Sequence, residues 1–242
     1  MLLLPAHEVH LYCAPLDTLA TQVAQFEATL NADEHARAAR FYFDRDRLRF
    51  IVARGCLRIL LSRYLAVTAL EINFCYNAYG KPGLAQPYAD SGLTFNLAHS
   101  GEYALYALAQ QRAVGADIEQ VRPALNYEQL AEHVFSQAEQ QSLQEVPDDQ
   151  RMTAFFDGWA RKEAYIKAQG TGLSLPLDQF TVTLAPDETP RLVSTEHAPA
   201  EAARWSLQAV TFVPGYAAAV VAEGQDWSLH WQPLPLDSEV PG

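Results

Sequence analysis

Val114-Gly115-Ala116-Asp117-Ile118-Glu119 is the stretch from which the architecture can be read. It reads as a short strand, and it stands where one order of elements ends and the same order begins again. Upstream, residues 8–14 form a candidate first strand. Asn31-Ala32-Asp33-Glu34 is a helix start, with Asn31 as cap and Glu34 three residues later. A helix over about 32–42 follows, then a second from about Asp46 to Leu65. In the second, Leu48, Val52, Leu57, Leu60, Leu61 and Tyr64 recur at three- and four-residue steps and predict a buried stripe. Strands are expected at 72–76, 93–98, 103–109 and over the quoted stretch. Gly80-Lys81-Pro82-Gly83 and Ser100-Gly101 mark turns among them. Downstream the order recurs: helices near 126–134, 136–145 and 149–169, then strands near 179–184, 191–195, 205–212, 216–222 and 227–231. Ser136 and Glu139 suit a capping box, and Gly170 a helix stop. Helices followed by strands, twice, predict an α+β fold in two similar lobes, residues 1–111 and 112–242.

The totals agree with a folded chain. Of 242 residues, 49% are hydrophobic and 19% charged, which is a globular composition. The net charge of −12 lacks the basic balance of a nucleic-acid binder. Positive charge is nonetheless concentrated: Arg37, Arg40, Arg45, Arg47, Arg49, Arg54, Arg58 and Arg63 fall within 27 residues and make up eight of the 17 Lys and Arg. Such a run is either a solvated helix face or one wall of an anion site. Cys13, Cys56 and Cys75 are odd in number and far apart, which suggests neither a disulfide framework nor a zinc knuckle, and points to the cytoplasm. The apolar start at Met1-Leu2-Leu3-Leu4-Pro5 is too short for a signal-peptide core and lacks a basic flank. No uncharged apolar run approaches the ~18 residues of a membrane span.

Three local features hold the chemistry. Side chains alternate along a strand, so Asp117 and Glu119 share a face. Two carboxylates there are either a solvated pair or oxygen ligands for a hard divalent cation. In Trp159-Ala160-Arg161-Lys162-Glu163-Ala164-Tyr165-Ile166-Lys167, Glu163 and Lys167 lie four apart on one helix face. They form either a surface ion pair worth about 0.2–0.5 kcal/mol or a third metal carboxylate beside a phosphate-binding ammonium. The third feature is Asn96-Leu97-Ala98-His99-Ser100-Gly101 at a strand end. Adjacent strand residues face opposite ways, so a His99–Ser100 nucleophilic dyad is disfavoured. His99 suits a phosphate contact better than a general base, with a structural histidine as the alternative. No Walker loop, dinucleotide fingerprint or His-Glu-x-x-His motif occurs, and no Gly-x-Ser-x-Gly elbow.

Together these segments resemble the 4′-phosphopantetheinyl transferases, in particular their larger Sfp type. Gly115-Ala116-Asp117-Ile118-Glu119 matches Gly-x-Asp-x-Glu. Trp159, Lys162, Glu163, Lys167, Gly170, Gly172 and Leu173 match the family's Trp-x-x-Lys-Glu-x-x-x-Lys-x-x-Gly-x-Gly-Leu. Phe135-Ser136-Gln137-Ala138-Glu139, Tyr79-Gly80-Lys81-Pro82, Phe95 to Gly101 and Arg40-Phe41-Tyr42-Phe43 fit in order and spacing. The resemblance spans roughly residues 30–220. It implies a pseudo-dimer of two α+β lobes, with coenzyme A in the cleft between them. Magnesium would be held by Asp117, Glu119 and Glu163. Lys167 would meet the coenzyme A diphosphate, with Arg37, Lys81, Ala98 and His99 around the adenosine 3′-phosphate and neighbouring groups. Three positions depart from the pattern: Ala98 stands where relatives often carry serine, Phe50 where some carry threonine, and Glu34 where some carry a basic residue.

The implied reaction moves the phosphopantetheine arm of coenzyme A onto a serine of an apo acyl, peptidyl or polyketide carrier protein, with Glu163 as candidate base and Lys167 as charge stabiliser. Neither a nucleic-acid nor a membrane partner is expected, and the internal doubling suggests a monomer. The competing readings are a magnesium-dependent phosphohydrolase using the same carboxylates, and a non-catalytic protein that binds coenzyme A or carriers.

Overall fold

The computed structural model describes residues 2–196, 198, 200–211 and 213–236, and for Leu173 the backbone alone. Phe212, the expected end of the strand over 205–212, lies outside the described residues, as does Met1. In chain order the elements are β1 (Glu8–Pro15), α1 (Leu16–Leu19), α2 (Val23–Glu27), α3 (Ala32–Ala38), α4 (Asp44–Leu65), β2 (Phe74–Tyr76), β3 (Pro82–Leu84), β4 (Leu93–Ser100), β5 (Tyr103–Gln110) and β6 (Val114–Gln120). Then come α5 (Tyr127–Val134), α6 (Gln137–Glu145), α7 (Asp148–Gln169), β7 (Phe180–Val182), β8 (Leu192–Thr195), α8 (Glu201–Arg204), β9 (Trp205–Ala209), β10 (Tyr216–Glu223) and β11 (Ser228–Trp231). The fold is mixed α+β.

Two compact units emerge. The first comprises Met1–Tyr76, Pro82–Gln111 and Ser228–Gly242, the second Asn77–Lys81 and Arg112–Trp227. The chain passes between them at Gln111–Arg112, but two segments depart from a single cut there. Residues from Ser228 onward belong with the first unit because β11 pairs in parallel with β1. Residues 77–81 belong with the second because their side chains are bonded to its backbone.

In the first unit the sheet order is β11-β1-β5-β4, with β1–β5 and β4–β5 antiparallel. The predicted stripe of α4 is buried at Val52, Leu57, Leu60, Leu61 and Tyr64, in one core with Tyr12, Ala14, Tyr106 and Leu108 of the sheet. Tyr106 anchors helix to sheet by donating to the Ala53 carbonyl at 3.0 Å. Asn31 and Glu34 close a capping box at the start of α3, which ends at Ala38 rather than near residue 42. Pro82 and Gly83, expected in a turn, begin β3, which pairs with β2 as a hairpin.

In the second unit β10 lies between β6 and β9, all antiparallel, and α7 packs along β6 and β10. Ala217 and Ala219 of β10 share a core with Ala160 and Ala164 of α7. Small side chains at such positions let a helix lie close to a sheet. Gly170 ends α7 in the left-handed region at φ 72°, with its N–H on the Ile166 carbonyl.

Candidate active site

Gly115 is what lets α7 descend onto β6. A methyl group at this position would lie 2.2 Å from the Ala164 carbonyl oxygen and 2.2 Å from the Ala168 nitrogen. Asp117 follows two residues later on the same strand, at 3% exposure. Its Oδ1 accepts a hydrogen bond from the Lys167 ammonium. Its Oδ2 is buried with no hydrogen-bond partner.

The electrostatics follow from that burial. Desolvation pushes the Asp117 carboxyl up to about 7; Lys167 pulls against the rise, and Glu119 and Glu163 add to it. Glu163 is also raised, chiefly by burial, with Lys167 opposing and Glu119 contributing. For Lys167, burial works against the charged form. Asp117, through its charge and hydrogen bond, and then Glu163 and Glu119 overcome this and raise its pKa. Asp117, Glu119, Glu163 and Lys167 are therefore one coupled group.

The three acids do not stand assembled as a ready metal cage. Among the described residues no three His, Cys, Asp or Glu side chains are gathered into a set able to hold a metal ion. The buried Asp117 carboxylate is instead paired with the Lys167 ammonium. The donor set still fits a hard divalent cation. All three members are carboxylates, two of them are destabilised as anions by burial, and one oxygen of Asp117 has nothing to satisfy it.

Residues 77–81 form a collar at the end of α7. The Asn77 amide donates to the Gly170 carbonyl at 2.7 Å, while its Oδ1 accepts from the backbone N–H groups of Tyr79 and Lys81. Lys81 Nζ donates to the carbonyls of Val114 at 3.1 Å and Ala168 at 3.2 Å. Those carbonyls lie on β6 and α7, the two elements that supply Asp117 and Lys167. Burial lowers the Lys81 pKa to about 8. The Lys81 ammonium is thus engaged on backbone.

The remaining expected contacts belong to the first unit. Arg37 is exposed on α3 and stacks over the Phe50 ring at 5.3 Å. His99 is exposed on β4, whereas Ala98 faces inward at 3% exposure, so a ligand could meet Ala98 only through its backbone. Arg37, Arg40 and Arg54 line a cavity of about 640 Å³ together with Asp33, Glu34 and Tyr76. The arginine run therefore divides. Arg45, Arg47 and Arg49 pair with Asp46, Asp44 and Asp17, and three others face this cavity.

Glu139 and Lys162, which the sequence offers only as parts of motifs, anchor α7 to the neighbouring α6 and β7. Lys162 Nζ donates to Glu139 Oε2 at 2.5 Å and to the Phe180 carbonyl at 2.6 Å. Glu139 also accepts from the backbone N–H of Ser136 and of Val182. Both side chains are about 1% exposed or less. The capping box at Ser136 signals one of these bonds, but no local pattern signals the ion pair.

Comparison with known proteins supplies the family. Residues 113–221 match the 4′-phosphopantetheinyl transferase superfamily, and residues 18–111 match the 4′-phosphopantetheinyl transferase N-terminal region. The 4′-phosphopantetheinyl transferase HetI of a Nostoc species is 41% identical over 226 residues, covering 93% of this chain and 92% of that protein. The 4′-phosphopantetheinyl transferase Sfp of Bacillus subtilis is 31% identical over 205 residues, covering 84% and 86%. With both halves matched and relatives aligned over most of its length, the chain belongs to the 4′-phosphopantetheinyl transferase superfamily.

Proposed function

We propose that the protein transfers 4′-phosphopantetheine from coenzyme A to a serine hydroxyl of an apo carrier protein, with magnesium as cofactor and adenosine 3′,5′-bisphosphate as leaving group. The observation that supports this most directly is the coupled group of Asp117, Glu119, Glu163 and Lys167, in a chain that belongs to this family. A magnesium ion held by Asp117, Glu119 and Glu163 would polarise the phosphoryl oxygens and offset charge on the diphosphate.

The chain's own groups account for the rest. The serine oxygen forms a bond to the β-phosphorus, and the bond from that phosphorus to the bridging oxygen breaks. The departing bisphosphate takes the electron pair. Glu163 is assigned as the acceptor for the serine proton. Lys167 supplies a fixed positive charge near the bridging oxygen, where charge builds as the bisphosphate leaves. Phosphoryl transfer needs little beyond such positioning and charge.

Arg37, Ala98 and His99 are assigned to the coenzyme A nucleotide, whereas Lys81, expected among them, is assigned to holding β6 and α7 through the Val114 and Ala168 carbonyls. The two units, each a long helix on a sheet, mixed in the first and antiparallel in the second, are read as the halves of a pseudo-dimer. A monomer acting in the cytoplasm completes the proposal, supported by three free cysteines. No helix among the described residues is long and apolar enough to cross a membrane.

The test is an intact-mass measurement on a panel of apo acyl, peptidyl and polyketide carriers, incubated with the protein, coenzyme A and magnesium. A gain of one phosphopantetheine, lost when the carrier serine is replaced by alanine, is the expected outcome. Hydrolysis of coenzyme A with no carrier labelled would favour a phosphohydrolase.

A further inference from the structure

Glu34, read above as an acid where some of the family carry a basic residue, has a defined set of partners in the structure. It is 4% exposed. Its Oε2 accepts from the Asn31 N–H at 3.0 Å and from Arg58 Nε at 2.6 Å, and its Oε1 pairs with Arg54 Nε at 3.1 Å. One carboxylate thus faces two buried guanidinium groups. Arg58 is turned wholly inward, donating to the carbonyls of Ala69 and Ile72. Arg54 instead lines the cavity beside Arg37 and Arg40.

Arg54 is also the most firmly held of these three. Its Nη2 donates to the Tyr76 hydroxyl at 2.8 Å, and its guanidinium lies 4.7 Å from the centre of the Phe74 ring. A cation fixed in advance loses little side-chain freedom when an anion binds. Of the residues that line the cavity, Arg37, Arg40 and Arg54 stand against Asp33 and Glu34, an excess of one positive charge before any ligand arrives. A phosphate monoester carries nearly two negative charges at neutral pH. Coenzyme A has one such group, on its ribose.

We infer that Arg54 is a fixed phosphate-binding residue of this cavity, and that Glu34 is its positioning residue. The acid at 34 and the base at 54 form a charge pair with the cation placed on α4 instead of α3. Glu34 then opposes no ligand, because Arg54 and Arg58 more than neutralise it. The inference rests on the coenzyme A reading above and adds to it the residue that selects the monoester.

The experiment measures initial transfer rates with coenzyme A and with 3′-dephospho-coenzyme A, which lacks the monoester, for the whole 242-residue chain. Arg54→Met should raise KM for coenzyme A about tenfold or more, the worth of a charge-assisted hydrogen bond. KM for the dephospho compound should hold within about twofold, so the preference between the two collapses. The ratio is internal to each preparation, so a smaller active fraction leaves it unchanged. If Arg54→Met does not fold, Arg54→Lys replaces the rigid planar donor with a flexible one and should lower the ratio at least threefold. An unchanged ratio in the folded variant would overturn the inference and make Arg54 a purely structural cation. Wild-type protein that labels no carrier from either compound would instead refute the function proposed above.

Discussion

Replacing Gly115 by alanine tests the reason β6 and α7 sit where they do. The added methyl would meet two backbone atoms at 2.2 Å and the Ala168 Cα at 2.8 Å. None of these is the end of a flexible side chain. Restoring ordinary contact, near 3.4 Å, requires strand and helix to part by about 1 Å in a close-packed interior. Overpacking of this kind costs about 1–3 kcal/mol, and backbone obstruction places this case at the upper end. For a chain of this size, about 3 kcal/mol corresponds to a fall of roughly 6–12 °C in melting temperature. The same parting separates Asp117 from Lys167, and a displacement of ~1 Å at reacting groups can cost about 10²-fold in rate. Thermal melts followed by circular dichroism and kcat from carrier mass gain measure the two effects. Gly83→Ala is the control, since its methyl would meet only Cys75 Sγ at 3.7 Å. A Gly115→Ala protein with wild-type melting and wild-type kcat would refute the close-approach argument.

Further expectations follow from the same geometry. Lys81→Met should lower kcat with coenzyme A and with its 3′-dephospho form alike, because the ammonium holds the Val114 and Ala168 carbonyls; a penalty confined to coenzyme A would place Lys81 on the phosphate instead. Lys162→Met leaves Glu139 buried without its cation and should cost about 3–5 kcal/mol in urea unfolding; a loss below about 1 kcal/mol would contradict the buried-pair reading. Asp117 has a folded-state pKa near 7, above its ordinary value of 3.8. Between those values the folded protein holds a proton that the unfolded chain has released, so this residue's contribution to stability falls as pH rises from about 4 to 7. Asp117→Asn should therefore gain melting temperature over wild type as pH rises through that window, in magnesium-free buffer; parallel melting curves from pH 4 to 8 would show that its pKa is not raised.

What could be read locally was read from chemistry confined to a few residues. The caps at Asn31 and Ser136 and the stop at Gly170 need only neighbours three or four positions away. The α4 stripe announces its own burial by period. Short elements left no such trace: α1 and α2 span four and five residues, too few for a period to register. The candidate site was legible as spacing, since Asp117 and Glu119 alternate on a strand and Glu163 and Lys167 share a helix face. The partners were not. That Lys167 bonds Asp117, that Lys81 reaches two carbonyls and that Arg54 shares Glu34 with Arg58 depend on how distant segments meet, which no window of sequence contains.

The parallel pairing of β1 with β11 joins residues that are 220 positions apart, Glu8 with Ser228. A ribosome releases the N-terminus long before it releases residue 228. One margin of the first sheet must therefore wait, unpaired, until residues 228–231 have been made. Nascent chains halted shortly before residue 228 should leave β1 open to stray strands, so a cell making this protein has reason to keep a chaperone near until β11 emerges.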